Sequence, residues 1–197
     1  MARILGTIAS SSFEAVGDFE SIATAAVTSN TTFVEFTSIP QTYTHLQIRY
    51  IARTNRNQYT SDVMAMQLNG DTSALYNHHQ LDGTGSIVES GASASGQTSS
   101  RVARPAAIGA PANTFSAGII DILDYRNTNK NHVIRSFCGV DVNGDYGANG
   151  AGIISLFSAL HRSTTAISSI KLFVIVTESQ FSFIPNSTFA LYGIKGA

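Results

Sequence analysis

Cysteine is almost absent from this chain, since Cys138 is the only one in 197 residues. A single cysteine excludes an intrachain disulfide and any zinc site built from several cysteines. Cys138 lies in the apolar run 133–140, where a small buried core residue is a better interpretation than a reactive thiol. We therefore expect the hydrophobic core alone to stabilise the fold, and 43% hydrophobic residues are enough to fill one.

Charge is scarce as well. Asp, Glu, Lys and Arg make up 13% of the residues, against about 25% in average soluble proteins, and the net charge is −1. A protein that binds DNA or RNA needs clustered Lys and Arg to displace the counterions of the phosphate backbone. We therefore expect no direct nucleic-acid partner.

Long apolar runs are missing too. No stretch approaches the roughly 20 apolar residues of a membrane-spanning helix, and the first residues lack the apolar run of a signal peptide. The sequence therefore predicts no membrane partner, and synthesis and assembly in a cytoplasm.

The signatures of catalysis and of metal binding are missing or incomplete. No nucleophile elbow, phosphate-binding loop or dinucleotide fingerprint occurs. His78 and His79 are adjacent, and adjacent residues of a strand face opposite sides of a sheet, so they cannot hold one ion together. Residues 141–145 begin like a calcium loop, but Tyr146 stands where Gly is needed and Gly152 where Glu is needed. We expect a turn at 141–145, no metal, no cofactor and no enzymatic activity.

What the sequence does contain is a series of short β-rich runs separated by polar turns. Leu46, Ile48 and Tyr50 point to one side of a strand and their neighbours to the other, as a half-buried strand requires. No window shows the apolar recurrence of a helix, so we predict no helix longer than about two turns. The predicted strands are 21–27, 32–37, 44–53, 62–68, 74–81, 117–123, 132–141, 152–160, 167–177 and 188–195.

Turn signals and apolar runs suggest how these strands are arranged. The polar segment 28–30 joins the first two strands, which we interpret as a hairpin. Asn69-Gly70, the strongest short hairpin signal, joins the fourth predicted strand to the fifth. The run 172–176 is continuously apolar, which predicts a central strand covered on both faces. About ten strands at this spacing are typical of a β-sandwich or barrel.

We divide the chain into an N-terminal arm, residues 1–18, and one β-sandwich domain, residues 19–197. Within the domain, the segment 83–116 breaks the strand rhythm with the sequence GASASG at 91–96, and we predict a long loop there. Loops longer than about 15 residues in compact domains are commonly functional. The segment is therefore a candidate for partner contacts, with an ordinary solvated loop as the alternative.

The arm contains three apolar residues, Ile4, Leu5 and Ile8. Each such side chain gains roughly 1.5 to 3 kcal/mol when it is fully buried, which offsets much of the entropy of ordering if a neighbouring subunit supplies a groove. We predict that the arm docks on a partner chain. The alternative is an arm that folds back as an extra edge strand of its own sheet.

Arginine and tyrosine suit both protein interfaces and stacking against sugars. Several of them lie around the loop 54–60 or in the long segment 83–116, and the alternative for the loop 54–60 is a plain solvated turn. Besides the three apolar residues of the arm, the candidate partner-binding residues are Arg49, Arg53, Arg56, Tyr59, Arg101 and Arg104.

Four stretches resemble recurrent segments of the virion structural proteins of tailed bacteriophages. They are FTSIPQTYTHLQIRYIARTN at 36–55, QLNGDTSALY at 67–76, DILDYRNTNK at 121–130 and FALYGIKGA at 189–197. Together they are spread over most of the chain beyond residue 20. The Ser- and Ala-rich segment 83–116 departs from the pattern.

The resemblance implies a jelly-roll-like antiparallel β-sandwich in the virion, assembled in the host cytoplasm. A capsid decoration or cement protein is favoured over a tail or fibre component, and no catalytic residue carries over. The implied partners are copies of the chain itself, with a trimer favoured, and other virion proteins such as the major capsid protein. The rival interpretation from another class is a carbohydrate-binding module that recognises a host-surface glycan.

Overall fold

The computed structural model describes residues 18–94, 96–142, 152–175 and 181–196. Within these ranges the chain forms twelve strands and no helix, so the prediction of an all-β protein is confirmed. The strands are β1 Phe19–Ala26, β2 Phe33–Phe36, β3 His45–Ala52, β4 Met64–Leu68, β5 Tyr76–Gly83, β6 Val88–Ala92, β7 Ser100–Ala103, β8 Ser116–Leu123, β9 His132–Val140, β10 Ile153–His161, β11 Ile170–Val174 and β12 Thr188–Ile194.

The strands form two antiparallel sheets. The first has eight strands in the order β1-β12-β3-β8-β9-β10-β5-β6, and the second has four in the order β2-β11-β4-β7. Leu46, Ile48 and Tyr50 of β3 are buried, as predicted, and they share one core cluster with Met66 and Leu172 of the four-stranded sheet. Two sheets that bury their facing side chains in a common core make a β-sandwich. The jelly-roll-like sandwich expected from the sequence is therefore confirmed.

The prediction of a central strand at residues 172–176 is confirmed for the position of its described part, but not for the expected cover on both faces. β11 lies between β2 and β4 and pairs with both of them. Ile170, Leu172 and Val174 point into the core, whereas Lys171 and Phe173 on the other face are half-buried. The strand is thus central within its sheet, but only one of its faces is covered by the core.

Both predicted hairpins are wrong about strand pairing, although the chain bends at both places. β1 pairs with β12 in the eight-stranded sheet, whereas β2 pairs with β11 in the four-stranded sheet. Asn69 and Gly70 have the positive φ values of a tight turn, 54° and 65°, but β4 and β5 belong to different sheets. The Asn69 side chain accepts hydrogen bonds from Ser168 N and Ser169 N, which holds this turn against the segment before β11. A turn signal predicts a reversal of the chain, not the identity of the neighbouring strand.

The segment Gly83 to Ser116 is not the single long loop predicted from its composition. It contains β6, an edge strand of the eight-stranded sheet, and β7, an edge strand of the four-stranded sheet. β6 is exposed along most of its length, so its sequence lacks the alternation that reveals a half-buried strand. β7 has only four residues, which is too short for a period to be recognised. Apart from Asp18, the arm 1–18 lies outside the described residues, so its docking on a partner stays a prediction.

Candidate interaction surfaces

The outward side of the eight-stranded sheet carries two neighbouring rows of exposed apolar side chains. One row runs across the strands from Ile119 through Phe137 and Leu156 to Leu81, each the register partner of the next. The second row, two residues further along each strand, contains Ile51 of β3, Ile154 of β10 and Val88 of β6, separated by glycine and alanine. We call these seven residues the apolar face: Ile51, Leu81, Val88, Ile119, Phe137, Ile154 and Leu156.

The apolar face is exposed in this chain, with accessible fractions from 39% for Ile119 to 74% for Val88. It extends over six strands, about 29 Å, and two outward rows, about 14 Å, which gives a flat footprint of about 400 Å². An apolar patch of this size is comparable to the largest patch on a typical soluble monomer, and such patches are often interaction sites. Single exposed apolar residues need no such explanation.

A polar row borders the apolar face on one side. Asp121 of β8 and Arg135 of β9 are register partners in this row. Gln47 of β3 donates a hydrogen bond from its Nε2 to Asp121 Oδ1 at 2.8 Å and accepts one from Arg49 Nε at 2.9 Å. An apolar centre with a polar rim that contains both signs of charge is the usual composition of a protein–protein interface.

Arg49 is the one arginine among the sequence-predicted candidates that lies on this outward side. Its guanidinium carbon is 5.0 Å from the ring centroid of Phe19 and 5.7 Å from that of Tyr192, and these two rings stack at 4.7 Å. The side chain is exposed and held by cation–π contacts. It is thus placed to contact a partner at the β3 end of the apolar face.

Arg53 is buried and serves the fold. Only 6% of the residue is accessible, and its guanidinium donates hydrogen bonds to the carbonyl oxygens of Pro111, Thr114 and Ala110 at 2.7, 2.8 and 2.9 Å. These bonds tie the end of β3 to the loop before β8. The Arg53 side chain is therefore largely covered and bonded within the chain, whereas the sequence suggested a residue available to a partner.

Arg56 and Tyr59 form a small cluster in the loop after β3. The Arg56 guanidinium lies 4.0 Å from the Tyr59 ring centroid and donates a hydrogen bond to Asp62 Oδ1 at 3.1 Å. Asp62 is fully buried, and this burial raises the pKa of its carboxyl, although the hydrogen bonds from Val63 and Thr54 act in the opposite direction. Tyr59 remains 43% exposed, so a contact at this loop stays a prediction.

Arg104 also has a partner within the chain. Its Nη2 lies 2.6 Å from Oδ2 of Asp82, which also accepts a hydrogen bond from Gln80 Nε2 at 2.8 Å. Asp82 is 2% accessible and points towards the core from β5. The backbone N–H of Arg104 donates to Sγ of Cys138, at 3.3 Å, and burial raises the pKa of this thiol. The interpretation of Cys138 as a buried core residue is confirmed.

A polar row therefore lies inside the sandwich. Asp82 is in register with Ser155 of β10, Ser155 with Cys138 of β9, and Cys138 with Gly118 and then Tyr50. Five buried polar atoms in this neighbourhood have no hydrogen-bond partner among the described residues: Tyr50 Oη, Gln80 Oε1, Asp82 Oδ1, Arg104 Nε and Ser155 Oγ. Such a concentration is unusual in a native core.

Arg101 lines a polar cleft at the edge of the sandwich, between β5, β6 and β7. The cleft has a volume of about 280 Å³ and is also lined by His78, Gln80 and Gln97. Burial lowers the pKa of His78 to about 4, and the nearby Arg101 charge acts in the same direction. A neutral imidazole, two amides and a guanidinium offer hydrogen bonds to a hydrophilic ligand.

Other features give no further site. His78 points inward and His79 outward, as predicted from the parity of a strand. Among the described residues no group of three or more His, Cys, Asp and Glu is arranged to hold a metal ion, and none of the described segments forms a helix suited to crossing a bilayer. Residues 143–145 of the predicted turn, and Ile4, Leu5 and Ile8, lie outside the described residues.

The apolar face was missed at the level of sequence. Its signal was present in Phe137, Ile154 and Leu156, which are apolar residues on the side of their strands opposite to the core residues Ile134 and Phe157.

Comparison with family models, curated proteins and solved structures found no match for this chain.

Proposed function

We propose that this chain is a non-enzymatic structural subunit of a tailed-bacteriophage virion, with decoration of the capsid surface as the favoured role. The observation that carries the proposal is the exposed apolar face with its polar rim. A rigid sandwich that presents an apolar face within a footprint of about 400 Å² is suited to protein–protein contact. The virion assignment itself rests on the four sequence stretches that resemble phage structural proteins.

The low charge of the chain fits this role. With 13% charged residues and a net charge of −1, neighbouring subunits do not repel one another when they are packed closely. The major capsid protein and further copies of the chain are the expected partners.

Cryo-electron microscopy of intact particles tests the proposal directly. We expect density for the sandwich on the capsid surface. Density at the tail or fibre would support the second virion role, and particles that lack the protein altogether would contradict both. A second experiment tests the role of the apolar face. The wild type, F137E and the matched variant F33E are each purified and added to particles that lack the protein, and their binding to the particles is compared. Phe33 is exposed on the four-stranded sheet, so only F137E is expected to reduce particle binding.

The polar cleft beside Arg101 supports a second candidate function, recognition of a host-surface glycan. Its volume of about 280 Å³ and its lining of amide, imidazole and guanidinium groups suit a sugar. A glycan array with the full chain tests this function. Binding that is lost in R101A and kept in R49A would support the cleft as a sugar site, and the absence of binding to any glycan would exclude this role.

A further inference from the structure

The eight-stranded sheet has a midline, and the residues on its two sides are complementary. Four strands, β1, β12, β3 and β8, lie on one side of this line, and β9, β10, β5 and β6 lie on the other. Across the midline Ile119 is the register partner of Phe137, and Asp121 is the register partner of Arg135. One strand further from the midline on each side, Ile51 of β3 and Ile154 of β10 lie in the same outward row of the sheet.

We propose that the apolar face binds the same face of a second copy of this chain, around a two-fold axis that runs parallel to β8 and β9 along the midline. Such an axis keeps every residue at its height along the strands and exchanges the two sides of the sheet. Ile119 then lies over Phe137 of the other copy, and Ile51 over Ile154. Apolar residues cover apolar residues except at β3, where Arg49 lies over Leu156 of the other copy, and the same patch is used on both copies, as an isologous interface requires.

The charges at the rim support a second copy over an unrelated partner. The same axis places Asp121 of each copy over Arg135 of the other, so that two ion pairs form across the interface. Because the axis runs parallel to β8 and β9, these strands of the two copies are parallel, which is within the range of about 30° that stacked sheets adopt. The Asp121 and Arg135 pairs lie on the two strands next to the axis, where a small rotation between the sheets moves them least.

The available area is close to what a stable dimer needs. Eight strands span about 38 Å and three outward rows, two apolar and one polar, span about 20 Å, which gives a flat footprint of about 750 Å². A standard interface buries about 800 Å² on each partner. The pairing assigns the apolar face to contact between copies of the chain and leaves the remaining surface for other virion proteins, and it does not depend on the particle to which the protein belongs.

The first experiment measures the mass of the full chain by sedimentation equilibrium at micromolar concentrations. We expect twice the chain mass for the wild type, and a dimer that F137E weakens by about 10- to 100-fold, since a large apolar side chain leaves the interface. F33E is the matched control and keeps the dimer. A wild type that is monomeric at every concentration overturns the pairing, as does a trimer, whether or not F137E affects it.

The second experiment tests the axis by exchanging charges. The D121R protein and the R135D protein each place like charges opposite one another in a homodimer, and we expect each to pair about tenfold more weakly than the wild type. An equimolar mixture of the two restores both interchain ion pairs, so native mass spectrometry should detect the heterodimer in excess over either homodimer. The heterodimer contains one chain of each kind, so the repulsion within its chains is the mean of that in the two homodimers and does not affect the comparison.

A mixture without preference for the heterodimer overturns the proposed axis. These outcomes are separate from the test of virion function. A monomeric protein found on particles would refute the pairing and leave the virion role intact, whereas a dimer absent from particles would do the reverse.

Discussion

The two faces of the eight-stranded sheet differ in an unusual direction at β5 and β10. Towards the core, β5 presents Tyr76 followed by three polar residues, His78, Gln80 and Asp82. Away from the core, β10 presents Ile154 and Leu156, which are 58% and 47% exposed. In β3 the arrangement is the ordinary one, with an apolar inward side and Gln47 and Arg49 outside. Alternation of residue types along a strand shows that the strand has two different faces. The position of the second sheet then decides which of these faces belongs to the core.

The largest expected difference in stability is between alanine variants of two neighbouring apolar residues of β10. Phe157 is 4% accessible and Leu156 is 47% accessible. F157A should lower the free energy of unfolding by about 3 to 5 kcal/mol because it leaves a cavity in the core, and L156A by less than about 1 kcal/mol. Urea unfolding followed by circular dichroism measures both, in the F137E background so that pairing does not contribute. Equal losses would show that the outward face is covered by the chain itself.

A smaller contrast is expected between two aspartates. D82A removes the partner of the largely buried Arg104 and should lower the free energy of unfolding by about 3 kcal/mol. D121A, on the outward side of the same sheet, should change it by less than about 0.5 kcal/mol in the same monomeric background. The prediction fails if D82A is as mild as D121A, since the inward polar row would then contribute nothing to stability.

The adjacent histidines of β5 should differ in pH dependence. Burial lowers the pKa of His78 from 6.5 to about 4, so between these values the unfolded chain binds a proton that the folded chain does not. The free energy of unfolding therefore falls as the pH is lowered through this window, by about 3 kcal/mol from this residue. H78N should remove that part of the pH dependence. H79N is the matched control, because its side chain is exposed in both states. An unchanged slope in H78N would contradict the burial of the imidazole.

The smallest contrast concerns two serines of β10. Ser155 Oγ is buried without a partner among the described residues, whereas Ser158 is exposed. S155A removes an unsatisfied hydroxyl and should raise the free energy of unfolding by up to about 1 kcal/mol, while S158A leaves it unchanged. A clear loss of stability in S155A would instead indicate that bound water satisfies the inward polar row.

The fold class followed from the sequence because β-branched and aromatic residues alternate with polar ones in most strands, as in Leu46, Ile48 and Tyr50 of β3. Strand pairing did not follow, since Asn69-Gly70 turns the chain between two sheets rather than within one. The sequence did not predict β6, because an exposed edge strand has no buried side and its residues therefore do not alternate between apolar and polar.

The candidate arginines show a similar limit. Arg49 and Arg53 are alike in sequence context, yet one is exposed on the sheet and the other donates to three carbonyl oxygens of a loop more than fifty residues away. Apolar residues on the outward side of β9 and β10 could be recognised from the sequence, but the apolar face could not be assembled, because its residues come from six strands and only the register brings them together. Single-strand patterns do not contain that information.

One measurement tests most directly whether the apolar face is covered in the assembled protein. Cys138 is 1% accessible, so a cysteine introduced by L156C is the only readily reactive thiol among the described residues, and F33C supplies the matched position on the other sheet. We predict that maleimide labels F33C rapidly and L156C slowly, and that adding F137E to L156C restores rapid labelling. If L156C reacts as fast as F33C in the otherwise unchanged chain, the apolar face is bare and the central claim is contradicted.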